Sequence, residues 1–130
     1  MPLEPGIRVL IVDDQDTVLE ILRSILRKFG FRNIDAAKDG AQALEKLRAA
    51  IDPYGLVISD WNMKPMTGLQ LLETMRGDKD LATTPFIMVT GENTKDRVIA
   101  AMQAGVSSYI MKPFSPDAVK KRLVSVLGEF

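Results

Sequence analysis

The sequence contains neither cysteine nor histidine. Without cysteine there are no disulfide bonds and no thiolate metal sites, which suits a reducing compartment. Without histidine there are no His-based catalytic triads, no histidine-ligated zinc hydrolase sites and no phosphohistidine carrier. Acid–base or metal chemistry in this chain must therefore rely on carboxylates, hydroxyls and amines.

An excess of charge of one sign and a long apolar run are also absent. Lys plus Arg and Asp plus Glu number 17 each, which argues against nonspecific attachment to nucleic acid or a membrane. No apolar run approaches the roughly 20 residues that span a bilayer, and residues 1–6 lack the charged and hydrophobic regions of a signal peptide. We therefore expect a cytoplasmic protein without a nucleic-acid or membrane partner.

The chain does have a regular alternation of apolar runs and amphipathic segments. Its 130 residues, 46% of them hydrophobic, fit a single domain over residues 1–130. Apolar, β-branched runs predict strands at 7–12, 33–37, 56–60, 85–90 and 107–111. Apolar residues at spacings of three and four predict helices at 16–29 and 40–50, one ending near 77, one at 94–104 and one beginning after 115.

The helical spacing also predicts which side chains are buried. In the second helix it places Ile51 on the apolar face with Leu44 and Leu47, and in the fourth helix it turns Val98 and Met102 inward. Strand and helix units that alternate in this way predict an α/β fold, a right-handed doubly wound parallel sheet with five helices. If the strand order is 2-1-3-4-5, ligands bind beyond the carboxyl ends of strands one and three.

Asp60 ends the most compact apolar run, and turn-prone residues follow it. This pattern predicts a buried strand that delivers a carboxylate to a loop, where α/β proteins place their chemistry. The alternative is that Asp60 only ends the strand or caps the next helix.

Asp13 and Asp14 follow the first strand, so they would meet Asp60 in the same crevice. Three crowded carboxylates must be protonated or hold a cation, and oxygen ligands without His or Cys favour Mg²⁺. The two acids can alternatively be a turn and the start of a helix.

Thr90 and Lys112 follow the fourth and fifth strands and point to the same crevice. A hydroxyl and a compact ammonium are groups that can bind phosphoryl oxygens. Taken singly, Thr90 can be a hydroxyl bonded to backbone and Lys112 a solvated loop charge.

The acid pair, Asp60, Thr90 and the Lys112–Pro113 dipeptide together resemble the response-regulator receiver family over nearly the whole chain. The resemblance implies a flavodoxin-like fold with sheet order 2-1-3-4-5. Within that family, the motifs are especially similar to those of chemotaxis regulators. The motifs are residues 58–63, 68–69, 88–90, 104–105 and 109–114.

The resemblance assigns a role to each motif residue. Asp60 would accept a phosphoryl group from the phosphohistidine of a sensor histidine kinase, CheA-like in chemotaxis. Asp13, Asp14 and Asp60 would hold Mg²⁺ with the backbone carbonyl of Asn62. Thr90 and Lys112 would bind the phosphoryl oxygens, and Thr90 and Tyr109 would change position when Asp60 is phosphorylated. Asn62 and Glu92 would tune the attack of water on the phosphoryl group. The Lys112–Pro113 peptide bond would be cis.

The face formed by the fourth helix, fifth strand and fifth helix would then bind a downstream protein. The flagellar motor switch is a candidate for that protein. The face carries five cations that can equally be solvated surface: Lys95, Arg97, Lys120, Lys121 and Arg122. Tyr109 can likewise be a half-buried aromatic side chain at the edge of the sheet.

Several positions depart from the usual family pattern or are expected to tune it. Lys64 stands where many receivers have proline, so the loop beside Asp60 is expected to be shaped differently. Gly91 replaces the more usual alanine and should widen access to the site. We expect Trp61 to be partly exposed and the acyl phosphate to be short-lived.

The favoured function is a stand-alone phosphorylation-switched binding module, because the chain ends after the fifth helix. It is not expected to act as an enzyme on other substrates. Alternatives are a phosphorelay intermediate that passes its phosphoryl group to a histidine phosphotransfer protein, and a Mg²⁺-dependent phosphohydrolase. The hydrolase is disfavoured because Asn62 stands where that family has a second acid.

Overall fold

The computed structural model describes residues 6–91 and 94–128. The strands are β1 (Arg8–Val12), β2 (Asn33–Ala37), β3 (Leu56–Asp60), β4 (Phe86–Thr90) and β5 (Ser108–Met111). The helices are α1 (Asp16–Lys28), α2 (Gly40–Ala49), α3 (Gly68–Arg76), α4 (Lys95–Gln103) and α5 (Pro116–Leu127). The predicted alternation is confirmed, and each predicted boundary lies within one or two residues of the observed one.

The five strands form one sheet in the order β2-β1-β3-β4-β5, and every neighbouring pair is parallel. This is the predicted doubly wound order. The order reverses between β1 and β3, so the loops after these two strands open a crevice at the carboxyl edge of the sheet.

Helices cover both faces of the sheet. Alternate residues of β1 point to opposite sides, Leu10 and Val12 into the cluster under α2, α3 and α4, and Val9 and Ile11 into the cluster under α1 and α5. The central strands β3 and β4 are buried at every position. Burial on both faces explains why these strands read as continuous apolar runs rather than as alternating ones.

Two predicted core positions are wrong. Ile51 is 97% exposed because α2 ends at Ala49 and Ala50 adopts an extended conformation, which turns the following chain away from the helix face. Met102 is 68% exposed, and Ala101 is the residue that α4 buries. Periodicity alone does not fix which side of a thin apolar stripe faces the sheet.

Side-chain caps begin most of the helices. Asp39, Thr67, Thr94 and Ser115 each accept a hydrogen bond from the backbone N–H three residues later. Pro116 occupies the first turn after Ser115, as the sequence predicts. No helix in the described part of the chain is long and apolar enough to cross a membrane.

Candidate functional site

Three carboxylates meet at the carboxyl edge of the sheet. Asp13 and Asp14 follow β1, and Asp60 is the last residue of the neighbouring strand β3. One carboxylate oxygen from each lies within 4.8 Å of the others. Asp13 and Asp60 are buried, with exposures of 1% and 5%, whereas Asp14 is exposed. The sheet therefore brings together the acids that the sequence singled out.

Lys112 reaches this cluster from the far side of β4. Its Nζ lies 3.0 Å from Asp60 Oδ1 and 3.2 Å from Asp13 Oδ2, and its side chain is 26% exposed. The backbone N–H of Lys112 donates to the carbonyl of Thr90 at 2.8 Å, which fixes the loop after β5 against the end of β4. The Lys112–Pro113 peptide bond is cis, as expected. The solvated-loop alternative for Lys112 is wrong.

The charges of the cluster perturb one another. Burial raises the pKa of Asp13, and the charge of Asp60 adds to the rise, while hydrogen bonds from Gln15 and Lys112 oppose it. Burial alone would lower the pKa of Lys112, but its hydrogen bond and charge interaction with Asp60, aided by Asp13, raise that pKa above its ordinary value. Lys112 thus stays cationic, and Asp13 is a buried acid that a cation would stabilise in its charged form.

Thr90 and Tyr109 lie on the strands beside the cluster. Thr90 is the last residue of β4 and is fully buried, next to the strand that ends at Asp60. Tyr109 on β5 pairs in register with Met88, two residues before Thr90, and is half-buried against the cluster under α4. Thr90 and Tyr109 thus lie on neighbouring strands of the sheet.

Trp61 is buried, with an exposure of 8%, so the expectation of partial exposure is wrong. Its backbone N–H donates to Val89 O at 3.0 Å, and its ring lies under the guanidinium of Arg97, 4.6 Å from ring centroid to Cζ. Arg97 Nη2 also donates to Asn62 Oδ1 at 3.1 Å. Helix α4 therefore covers Trp61. The residues around Trp61 in the sequence do not indicate this contact, because Arg97 is distant in the chain.

Sequence reasoning missed the position of Arg97. It grouped this residue with the surface cations, whereas the structure places its guanidinium against the two residues that follow Asp60. Arg97 and Asn62 are 35 positions apart in the chain, and no local pattern signals a contact at that separation.

Two loops flank the site, one after β3 and one after β4. Gly91 is exposed, and a Cβ built on it would meet nothing within 4 Å, so the wider access expected from glycine stays a prediction. The Lys64–Pro65 peptide bond is cis in the loop after Asp60. A cavity of about 410 Å³ beside the acids is lined by Asp14, Asn62, Met63, Lys64, Pro65 and Thr67. Glu92 lies outside the described residues.

A larger cavity of about 600 Å³ lies at the other end of the sheet, before β3 and β4. Its lining includes Arg48, Tyr54 and Asp78, and it does not include the three clustered acids or Lys112. The size of a cavity therefore does not identify the functional site, whereas the convergence of charged side chains does.

The donor set fits a hard divalent cation. Three carboxylates with no nitrogen or sulfur ligand are typical of Mg²⁺ or Ca²⁺ sites, and the exposed Asp14 leaves one side open to water, which Mg²⁺ usually retains. Asp13, Asp14 and Asp60 are thus an acidic cluster compatible with Mg²⁺.

The family model of the response regulator receiver domain matches residues 9–124 of the chain. The chain belongs to this family. The receiver is 41% identical over 121 residues to chemotaxis protein CheY1 of Helicobacter pylori, an alignment that covers 93% of this chain and 97% of that protein. The predicted family, and the predicted similarity to its chemotaxis members, are confirmed.

Solved structures of similar proteins have the same fold. The receiver superposes on chemotaxis protein CheY4 of Vibrio cholerae with a TM-score of 0.85 and 30% identity, covering 93% of this chain and 98% of that chain. A chain of the CheX–CheY–BeF3–Mg²⁺ complex from Borrelia burgdorferi gives a TM-score of 0.85 and 28% identity, covering 92% of this chain and 87% of that chain. Receivers of this type are signalling regulators.

Proposed function

We propose that this receiver is a phosphorylation-switched chemotaxis regulator that accepts a phosphoryl group on Asp60 from a sensor histidine kinase. The observation that carries the proposal is the contact of Lys112 Nζ with both Asp60 and Asp13 in a cluster of three acids. Similarity to the CheY1 protein supports a chemotaxis pathway with a CheA-like kinase in the cytoplasm.

Asp60 is the nucleophile in the proposed reaction. A carboxylate oxygen of Asp60 attacks phosphorus, an O–P bond forms, the N–P bond of the phosphohistidine breaks, and the imidazole leaves with the bonding electron pair. Lys112 is placed to pair with the charge of the transferred group, since its ammonium already lies 3.0 Å from the acceptor carboxylate. The protein performs this step on itself and is not proposed to turn over other substrates.

The acidic cluster has a second role in the proposal. Asp13, Asp14 and Asp60, with the backbone carbonyl of Asn62, would hold Mg²⁺, which supplies positive charge opposite the transferred group. The Borrelia complex that contains a similar chain also contains Mg²⁺ and BeF3, which supports Mg²⁺ as the ion for this site. Thr90, buried at the end of β4, would bind a phosphoryl oxygen.

The switch would run from Thr90 to Tyr109 and then to the face of α4, β5 and α5. The new charge and acceptor oxygens on Asp60 draw the Thr90 hydroxyl inward, and Tyr109 moves into the vacated space. Reversing a mostly inactive population requires a preference of roughly 5 kcal/mol for the active state. Ile99 and Met102 expose apolar surface on α4, which suits a docking protein segment such as one from the flagellar motor switch.

The proposal is tested with the Trp61 fluorescence of the purified chain. Titration with Mg²⁺ and then with a small phosphodonor is expected to give two successive changes, the second reversible and accompanied by one added phosphoryl group in the mass spectrum. Asp60→Asn, which keeps the shape of the side chain, should lack the second change. If the parent shows neither change and gains no mass, the phosphoacceptor assignment is wrong.

A second experiment separates motor docking from a phosphorelay. The phosphorylated receiver is mixed either with a motor switch peptide or with a histidine phosphotransfer domain. Phosphorylation-dependent binding of the peptide supports the regulator, and transfer of the phosphoryl group to the histidine domain supports the relay. We expect the acyl phosphate to be short-lived, and a lifetime of hours at neutral pH would contradict this.

A further inference from the structure

Helix α4 makes a polar contact with the loop that carries the proposed phosphoacceptor. Arg97, in the first turn of α4, donates from Nη2 to Asn62 Oδ1 at 3.1 Å, and its guanidinium carbon lies 4.6 Å from the Trp61 ring centroid. Trp61 and Asn62 are the two residues that follow Asp60. One side chain thus connects α4 to both of them.

The hydrogen bond sets the orientation of the Asn62 amide. A guanidinium can only donate, so the oxygen of the amide must face Arg97 and its NH2 group must face away. The stacking contact holds the guanidinium plane on the buried Trp61 ring, which restricts where that donor can go. Asn62 is itself exposed, so without Arg97 its amide would be free to rotate in solvent.

This orientation bears on the loss of the phosphoryl group. A water molecule that attacks an acyl phosphate has to be oriented, and a side-chain oxygen that accepts its proton in a hydrogen bond is the group suited to that task. The oxygen of Asn62 is engaged by Arg97 and is therefore less able to serve that water.

We propose that Arg97 is a positioning residue that lengthens the life of the phosphorylated receiver by engaging Asn62 Oδ1. This inference rests on the proposed function, since it presupposes phosphorylation of Asp60. It assigns Arg97 a task at the site rather than only on the docking face. Because Arg97 belongs to α4, a protein that binds α4 and displaces Arg97 from Asn62 changes the rate of phosphate loss at Asp60.

The test compares the decay of phosphorylated protein in Arg97→Met and in the parent. Methionine keeps an apolar stem on Trp61 and removes the donors. The chain is loaded with a small phosphodonor and Mg²⁺, the donor is removed, and the phosphorylated fraction is followed by phosphate-affinity gel, because Trp61 fluorescence itself changes with Arg97. We expect Arg97→Met to lose its phosphoryl group about three to ten times faster.

Two controls make the result specific. Lys95→Met removes the same charge from the same turn of α4 and should decay as the parent does. In an Asn62→Ala background, the Arg97→Met substitution should have no effect, because the amide through which it acts is gone. A thermal unfolding midpoint like that of the parent shows that α4 is intact in each variant.

Either of two results overturns the inference: Arg97→Met decays as slowly as the parent, or it accelerates decay equally in both Asn62 backgrounds. The second result would mean that the charge of Arg97 acts directly on the site. If the parent itself gains no phosphoryl group, the proposed function fails instead, and that outcome is visible before any decay is measured.

Discussion

Lys112 is a cation held between two buried carboxylates. Its Nζ lies 3.0 and 3.2 Å from Asp60 and Asp13, where it competes with any metal ion for the same negative charge. We predict that Lys112→Met binds Mg²⁺ more tightly, by about three- to tenfold, and is phosphorylated more slowly by a small donor. Both quantities can be followed through Trp61, one as a Mg²⁺ titration and the other as a rate.

The matched control is Lys121→Met on the exposed surface of α5. It removes an equal charge far from the acids, so its Mg²⁺ affinity should equal that of the parent. A Lys112→Met protein with unchanged or weaker Mg²⁺ binding would show that Lys112 and the metal do not compete.

Tyr54 belongs to a second polar network, away from the acidic cluster. Its hydroxyl donates to Asp35 Oδ2 at 2.7 Å, and Arg8 donates to the same oxygen at 3.0 Å. The hydrogen bond from Tyr54, with Arg8, lowers the pKa of Asp35. Burial and Asp35 together raise the pKa of Tyr54 to about 12. The network ties the start of β1 and the middle of β2 to the turn before β3.

We predict that Tyr54→Phe lowers the free energy of unfolding at neutral pH by about 0.5–1 kcal/mol, a modest value because the Asp35 side chain is 46% exposed. Because the pKa of Asp35 is lower in the folded than in the unfolded chain, where it is 3.8, ionised Asp35 stabilises the fold at pH values above 3.8. This contribution is lost as the pH falls below 3.8. The raised pKa of Tyr54 stabilises the fold below pH 10, and this is lost between 10 and about 12.

Urea unfolding of the parent and Tyr54→Phe across the pH range tests this. The difference between the two proteins should be constant from about pH 5 to 9 and shrink at both ends. A difference that is independent of pH from 3 to 12 would mean that the hydroxyl contributes only packing.

At the scale of the elements, the first residue of α3 touches the backbone of β3. A Cβ on Gly68 would lie 2.1 Å from the carbonyl oxygen of Asp60 and 3.0 Å from Met88 Sδ. The Gly68 N–H also donates to Trp61 O at 3.0 Å. Glycine therefore allows α3 to begin directly against the end of the strand that bears Asp60, the proposed phosphoacceptor.

We predict that Gly68→Ala destabilises the fold by about 1–3 kcal/mol and slows phosphorylation of Asp60, because the strand end has to move. Gly77→Ala is the control at the other end of α3, where a Cβ meets ordinary contacts at 3.6 Å. It should change the free energy of unfolding by less than about 0.5 kcal/mol. Equal effects of the two substitutions in chemical unfolding would contradict the steric argument.

The elements themselves could be predicted because their signals are local. The apolar run of β3 and the cap at Ser115 each sit within a few residues of the feature they specify. The buried faces of α2 and α4 were harder to predict, and the prediction that Ile51 and Met102 are buried is wrong. Whether an apolar residue near a helix end is buried depends on the path of the chain beyond that end, which periodicity does not contain.

At the scale of the whole molecule, the fold holds like charges together at one edge. Asp13 and Asp14 follow β1, and Asp60 ends β3. A cation that binds this cluster in the folded but not the unfolded chain stabilises the fold by mass action. We predict that Mg²⁺ at 100 times its dissociation constant raises the free energy of unfolding by about 2.7 kcal/mol, and that a chelator removes the gain.

Asp14→Asn is the control, since Asp14 is exposed and its replacement does not disturb the core. In chelator, this variant should be as stable as the parent or more so, because one like charge is gone. At the same Mg²⁺ concentration it should gain less. An equal Mg²⁺-dependent gain in both proteins, measured by thermal unfolding at constant ionic strength, would place the metal elsewhere.

The residue pattern by itself determined the α/β class and the convergence of the three acids with Lys112, whereas the strand order 2-1-3-4-5 was expected from the family resemblance. The residue pattern could do so because parallel strands end at a common edge, so residues that follow strands meet there whatever the details of packing. Only the tertiary structure decided that Trp61 is buried and that Arg97 lies on it and on Asn62. These contacts depend on how α4 is placed over the neighbouring loop, and placement between distant segments is set by packing rather than by any local pattern.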